Sequence, residues 1–246
     1  MIDMKPSNNP NLELSVVVLS YGCGEAVRTF THALQKELES RFIEYEIILA
    51  GNYTEGKPDP TSSILRELAK ENPRVIALTE PTGSPMGLNM KAGLRVARGK
   101  TVAVIDGDGQ MPSHDILRVY DKLISENLDL VKTKRIQRYD GPWRRIISKI
   151  FNWAMHILFY PVVGSDINSK PKIFTREALE SLHLESNEWF IDAEIMIQAY
   201  KKKFRMGEIP TEFFALDERH SFISIRAIVQ FVKSMLAYRW KKLWKS

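Results

Sequence analysis

One cysteine in 246 residues, Cys23, excludes any disulfide within the chain and suits a reducing compartment. Long apolar runs are missing too. None approaches the roughly 18 residues that a membrane-crossing helix needs, so no transmembrane helix is expected. The stretch Met1–Asn11 has no charged-then-apolar leader and reads as a polar tail. No internal repeat or low-complexity segment occurs, and the ordinary apolar and charged fractions exclude disordered and collagen-like classes. The five histidines, His32, His114, His156, His183 and His220, show no ligand spacing and are read as structural.

What is present fits one large globular α/β domain, with 44% hydrophobic and 26% charged residues. The formal charge of +5 is spread unevenly. Lys132, Lys134, Arg135, Arg138, Arg144, Arg145 and Lys149 stand against Asp140 alone, and the stretch from Arg226 to Ser246 is basic with no acidic residue. Such patches imply an anionic partner: nucleic acid, a membrane surface or a phosphorylated substrate.

The element pattern alternates. Strands are expected at Leu14–Leu19, Tyr45–Ala50, Arg74–Leu78, Thr101–Asp106 and Asp129–Lys134, with helices at Glu25–Ser40, Thr61–Glu71, Met86–Arg98 (capped by Gly99) and Ser113–Glu126. This β-α-β-α order predicts a doubly wound, mostly parallel sheet flanked by helices. Further on, Lys172–Phe174 reads as a strand, Ile191–Lys203 as a helix, and Met206–Ile209 with Glu212–Leu216 as short strands around Pro210. Trp143–Tyr160 is apolar and aromatic with cations at its start, and Ser221–Trp244 fits an amphipathic helix. Aromatics mixed with snorkelling cations, with Tyr238, Trp240 and Trp244 among the lysines of the tail, suit helices lying in a lipid headgroup plane.

The most informative stretch is Thr101–Ile105 running into Asp106-Gly-Asp108-Gly-Gln110. A buried strand there ends by projecting two carboxylates and an amide from a glycine-rich turn. Open α/β sheets bind ligands at the carboxyl ends of their strands. Two aspartates one residue apart suit a hard cation such as Mg²⁺ or Mn²⁺, leaving positions for phosphate oxygens. A tight Asp-Gly turn without a ligand is the bland alternative.

The run Ile105–Pro112 resembles the metal motif of family 2 glycosyltransferases with a GT-A fold, in the branch of dolichol-phosphate mannose synthase and other polyprenyl-phosphate sugar transferases. Val16–Tyr21 with Glu25, Gly87–Gly93 through Gly99, Lys134–Arg138, Ile173–Arg176 and Glu208–Pro210 match in order. The resemblance covers roughly residues 12 to 224 and implies a metal-dependent, inverting transfer of a sugar from a nucleotide donor to a polyprenyl phosphate. It places Asp106, Asp108 and Gln110 on Mg²⁺ or Mn²⁺. It places Ser20, Tyr21, Glu25, Asn52, Lys91, Asp106 and Arg138 on a GDP- or UDP-linked donor. Arg135, Arg138, Arg144, Arg219 and Ser221 fall to the acceptor or its phosphate, and the catalytic set is Asp108, Arg135, Asp192 and Glu194. Asp192 reads equally as a helix N-cap and Glu194 as a first-turn dipole partner.

The chain departs from the family where strand two usually ends in an acidic pair; here it ends Ala50-Gly51-Asn52. The late arginine-glycine-serine turn appears as Arg219-His-Ser221, without glycine. The expected layout is a tail over 1–11, a GT-A domain over 12–220 with an interfacial segment near 143–163, and a basic amphipathic helix over 221–246. A cytoplasmic enzyme peripheral on the inner membrane face would follow, meeting an anionic lipid surface and no nucleic acid. The alternatives are a saccharide or other hydroxyl acceptor, or a catalytically silent binder of nucleotide sugar or nucleic acid.

Overall fold

The computed structural model describes residues 11–138 except 42, 43, 57, 58, 82 and 84, then residues 166–214, and Lys233, Met235, Ala237, Tyr238 and Trp240. In chain order the elements are β1 (Leu14–Leu19), α1 (Ala26–Ser40), β2 (Tyr45–Ala50), α2 (Thr61–Glu71), β3 (Val75–Leu78), α3 (Met86–Val96), β4 (Thr101–Asp106), α4 (Asp115–Ser125), β5 (Leu130–Arg138), β6 (Lys172–Thr175), α5 (Arg176–Ser181), α6 (Ile191–Lys201) and β7 (Met206–Phe213).

Seven strands form one sheet in the order β3-β2-β1-β4-β6-β5-β7. The pairs β1–β2, β1–β4, β2–β3 and β5–β7 are parallel, and β6 runs against both β4 and β5. Strands β1 and β2 are buried along their whole length, as the apolar runs predict for a sheet covered on both faces. The pleat sorts side chains with period two. Val17, Leu19, Val102 and Val104 join a core with α3, α5 and α6, whereas Val16, Val18, Ala103 and Ile105 join one with α1, α2 and α4. Asp106, two residues beyond Val104, therefore belongs to the α6 face.

Three local expectations are corrected. Gly99 is not a helix cap: α3 ends at Val96, and Ala97 leaves in an extended conformation. Glycine is needed there because a Cβ would lie 2.6 Å from the Ser15 backbone nitrogen. Pro210 does not divide β7, which pairs with β5 straight through Lys134 and Pro210 and lies at the edge of the sheet, where a missing N–H is tolerated. Asp192 is not an N-cap; Phe190 holds that position and Asp192 lies in the first turn of α6. Gly87 and Gly93 are packing glycines as expected, for added Cβ atoms would meet Asn187 at 2.6 Å and Val17 at 2.3 Å.

The segment Trp143–Tyr160 lies outside the described residues, as does most of Ser221–Trp244. The five described residues of that tail include a buried Met235 and a Tyr238 ring 5.3 Å from the ring of Phe190, and both pack on the α6 core. Tyr238, grouped by its sequence context with the lipid-facing aromatics, instead faces protein, while Trp240 is 67% exposed. Among the described residues, no helix is long and apolar enough to cross a membrane.

Candidate active site

Parallel register brings the ends of β1, β2 and β4 to one edge: Leu19 pairs with Ala50 on one side and Asp106 on the other. Just beyond those ends lie Ser20, Gly51-Asn52 and the Asp106–Gln110 turn. Gly107 permits close approach, since a Cβ would meet Val18 at 2.7 Å, and its N–H donates to Leu19 O at 2.9 Å. Gly109 adopts φ +79°, a left-handed conformation that disfavours side chains. The Gln110 N–H donates to Asp108 Oδ1 at 3.1 Å, closing an Asx turn. Gln110 Nε2 donates to Phe214 O at 3.0 Å, which fixes the amide and leaves Oε1 as its ligand-capable end. The Asp106 side chain is 33% exposed.

Beside the turn lies a buried charge cluster that sequence reasoning missed. In the antiparallel register Lys172 faces Val104, and Lys170 lies in the bend just before β6. The Lys170 ammonium lies 2.9 Å from Asp192 Oδ2 and 3.5 Å from Asp106 Oδ2. Lys172 Nζ bonds Asp192 Oδ1 and donates to Ser169 O at 2.8 Å. Lys170, Lys172 and Asp192 are all at most 3% exposed. Burial works against the charged form of each, but pairing outweighs it for two: Lys170 is raised by Asp106 and Asp192, and Asp192 is held below the usual carboxylate range by both lysines. Lys172 goes the other way, pulled down to about 8 by burial and by Lys170. The available signal was two lysines flanking a proline at the mouth of an apolar strand.

The remaining expected site residues take up varied positions. Arg135 forms a two-nitrogen bridge to Asp166 and stacks over Phe213 at 5.1 Å. Asp166 is buried, which would raise its pKa, yet Arg135 holds it low. This pair joins β5 to the segment entering β6. Glu194, raised by burial, accepts backbone N–H groups from Glu185 at 3.0 Å and Ser186 at 2.9 Å. Lys91 donates to Glu185 O at 3.2 Å and to the Asn187 side chain, pinning the same loop to α3. Asn52 Oδ1 accepts from Glu80 N–H at 2.9 Å, linking the ends of β2 and β3. Ser20 Oγ donates to Val18 O, and Glu25 pairs with Arg28 on the surface. Tyr21 is half-buried beside Ser20. The side chain of Arg138, together with Arg144, Arg219 and Ser221, lies outside the described residues.

The structure thus brings together Asp106, Asp108, Gln110, Ser20 and Asn52 along the strand ends, with Asp192 just behind. It commits Arg135, Lys91 and Glu194 to holding neighbouring segments. Among the described residues, no three His, Cys, Asp or Glu side chains gather as a closed metal cluster. The turn carries two carboxylates and an amide, with the Asp106 side chain 33% exposed and Asp108 and Gln110 half-buried.

Comparison with known proteins gives the family and the fold. The family model described as Glycosyl transferase family 2 matches residues 15–182. A dolichyl-phosphate beta-glucosyltransferase of Trichomonas vaginalis is 26% identical over 248 residues, covering 93% of this chain and 75% of that protein. An undecaprenyl-phosphate 4-deoxy-4-formamido-L-arabinose transferase of Pseudomonas syringae pv. syringae is 32% identical over 127 residues, 51% of this chain and 35% of the other. Among solved structures, glucosyl-3-phosphoglycerate synthase from Mycobacterium tuberculosis with Mn²⁺, UDP and its product superposes with a TM-score of 0.71, at 15% identity over 92% of this chain and 79% of that one. At that identity the likeness speaks for the fold.

Proposed function

This chain belongs to glycosyl transferase family 2, and we propose that it moves a sugar from a nucleotide donor to a polyprenyl phosphate at a membrane surface. The observation that carries the acceptor class is the state of the two candidate bases. A hydroxyl acceptor calls for a general base to take its proton, and Asp192 and Glu194 are the carboxylates expected in that role. Asp192 has one oxygen on Lys170 and the other on Lys172. Glu194 is occupied by the N–H groups of Glu185 and Ser186. A lipid phosphate is already anionic near neutral pH and needs no base, so it suits a site whose carboxylates are engaged. The dolichyl- and undecaprenyl-phosphate relatives support the same class.

Asp106, Asp108 and the Gln110 carbonyl fit a hard divalent cation, Mg²⁺ or Mn²⁺. The set is all oxygen, partly exposed and open on one side, as a cation shared with a diphosphate requires. When bound, such a cation supplies positive charge to the departing nucleoside diphosphate. The chain's own residues do the rest. Ser20, Tyr21 and Asn52 line the nucleotide side of the strand ends, and Lys170 and Lys172 add a positive field behind the carboxylates. Arg138, Arg144, Arg219 and Ser221 are the acceptor-side candidates. The basic, aromatic segment near 143–163 and the basic residues of the tail over 221–246 would rest on the inner leaflet.

The test incubates the protein with Mn²⁺, a polyprenyl phosphate and a panel of radiolabelled UDP- and GDP-sugars. Label entering the organic phase with one donor is the expected outcome. Transfer to a soluble saccharide with none to the lipid would replace this reading with the hydroxyl-acceptor one.

A further inference from the structure

The cluster behind the aspartate turn has an imbalance that fold stability alone does not explain. Asp192 already has a counter-ion in Lys172, which bonds its Oδ1 directly. Lys170 is a second ammonium, 3% exposed, brought to the same carboxylate. Burying a cation is costly unless it is paired. Two lysines against one carboxylate leave a charge over, and Asp106, 3.5 Å from Lys170, is what balances it. Lys170 stands in the bend just before β6, the strand that pairs with β4 and so runs beside Asp106.

We propose that Lys170 is a positioning residue of the donor site: a resident counter-cation that holds Asp106 to Asp192 and must be outcompeted electrostatically whenever a divalent cation binds the Asp106–Asp108 turn. This rests on the reading of Asp106 and Asp108 as the cation site. An ammonium beside Asp106 keeps that carboxylate aligned before the donor arrives. The same charge repels the incoming cation and weakens cation binding in the absence of diphosphate. A donor's two negative phosphates relieve that repulsion, so cation and nucleotide bind cooperatively. Lys170 thereby favours loading of the pair over loading of the bare metal.

The test is Mn²⁺ binding to donor-free protein, followed by the electron paramagnetic resonance signal of free Mn²⁺, with and without UDP or GDP. Lys170→Met keeps the apolar stem and removes the charge; Lys170→Gln is a second variant should the first fail to melt cooperatively. The expected result is bare Mn²⁺ affinity at least fivefold tighter than wild type, with much of the nucleotide-induced enhancement lost. Lys170→Arg, which restores the cation, is expected to return both values toward wild type. Unchanged or weaker Mn²⁺ binding in a folded Lys170→Met protein would overturn the proposal. A second measurement needs no lysine variant. Asp106→Asn is expected to lower the melting temperature by at least about 3 °C relative to Asp108→Asn, because it removes the carboxylate 3.5 Å from Lys170. Equal melting temperatures would also overturn it. Asp108→Asn serves as the control for the underlying reading. If it leaves Mn²⁺ binding intact, the metal site itself is misassigned; if it abolishes binding while Lys170 variants change nothing, only the counter-cation proposal fails.

Discussion

The two ends of the central strands each hold a carboxylate beside a cation, and they are built to opposite purposes. At the amino-terminal end, Glu46 is 3% exposed and saturated. Its Oε1 accepts from Ser15 Oγ and the Arg98 N–H, both at 2.7 Å, and its Oε2 accepts from Arg98 Nε at 2.9 Å and Nη2 at 2.6 Å. At the carboxyl-terminal end, Asp106 is 33% exposed and reaches Lys170 only at 3.5 Å, too far for a good hydrogen bond. The first arrangement closes the sheet onto the α3–β4 connection. The second leaves lone pairs and an open side where a ligand can enter. Acid–base pairs of the same type thus read as structure or as site according to how completely the carboxylate is satisfied.

Exchanging the two ends in a mutational experiment should separate activity from stability. The largest effect is expected from Asp108→Ala, which should lower kcat/KM for sugar transfer roughly 1,000-fold or more while the melting temperature stays within about 2 °C of wild type. A comparable loss of stability would mean that the turn is structural. Asp192→Asn tests the boundary between the two behaviours. It leaves two buried lysines facing an amide and is expected to cost about 3 kcal/mol at pH 7, read by denaturant unfolding. The pH dependence has a fixed sign. The folded carboxyl of Asp192 sits below its unfolded value of 3.8, so its contribution is present above that pH and lost as pH falls through the folded value. Wild-type and Asp192→Asn stabilities should therefore converge below pH 3.8, and a constant gap would remove the ion-pair explanation. Smallest is Glu46→Gln, expected to cost about 1–3 kcal/mol through imperfectly satisfied Arg98 and Ser15 donors, with kcat unchanged in the folded fraction. A tenfold fall in kcat there would break the contrast between the ends.

Much of this arrangement was legible in the sequence because it follows from local patterns. The period of the apolar residues fixes the two-faced sheet, and the abrupt stop of β4 in Asp106-Gly-Asp108-Gly-Gln110 marks the turn proposed to hold the cation. The ordered motifs also identify the family, which the matched residues 15–182 bear out. What escaped depends on contacts across long separations. Lys170 and Lys172 carry no motif; they matter because an antiparallel strand returns beside β4 and α6 supplies Asp192. Nor does a local pattern show that Arg135 is committed to Asp166, or that Glu194 and Lys91 grip the loop between α5 and α6. Pro210 looked like a strand break because the sequence does not say which strand is at the edge. Tyr238 looked lipid-facing because its cationic neighbours hide the one side that meets Phe190.

The account turns on an acceptor that brings its own negative charge, so the most direct measurement compares polyprenyl phosphate with the corresponding polyprenol under identical donor and Mn²⁺ concentrations. The expected result is glycosyl transfer to the phosphate and none above background to the alcohol, because neither Asp192 nor Glu194 is placed to take a hydroxyl proton. Equal transfer to both, abolished by Asp192→Asn in a folded protein, would contradict it and restore Asp192 as a general base.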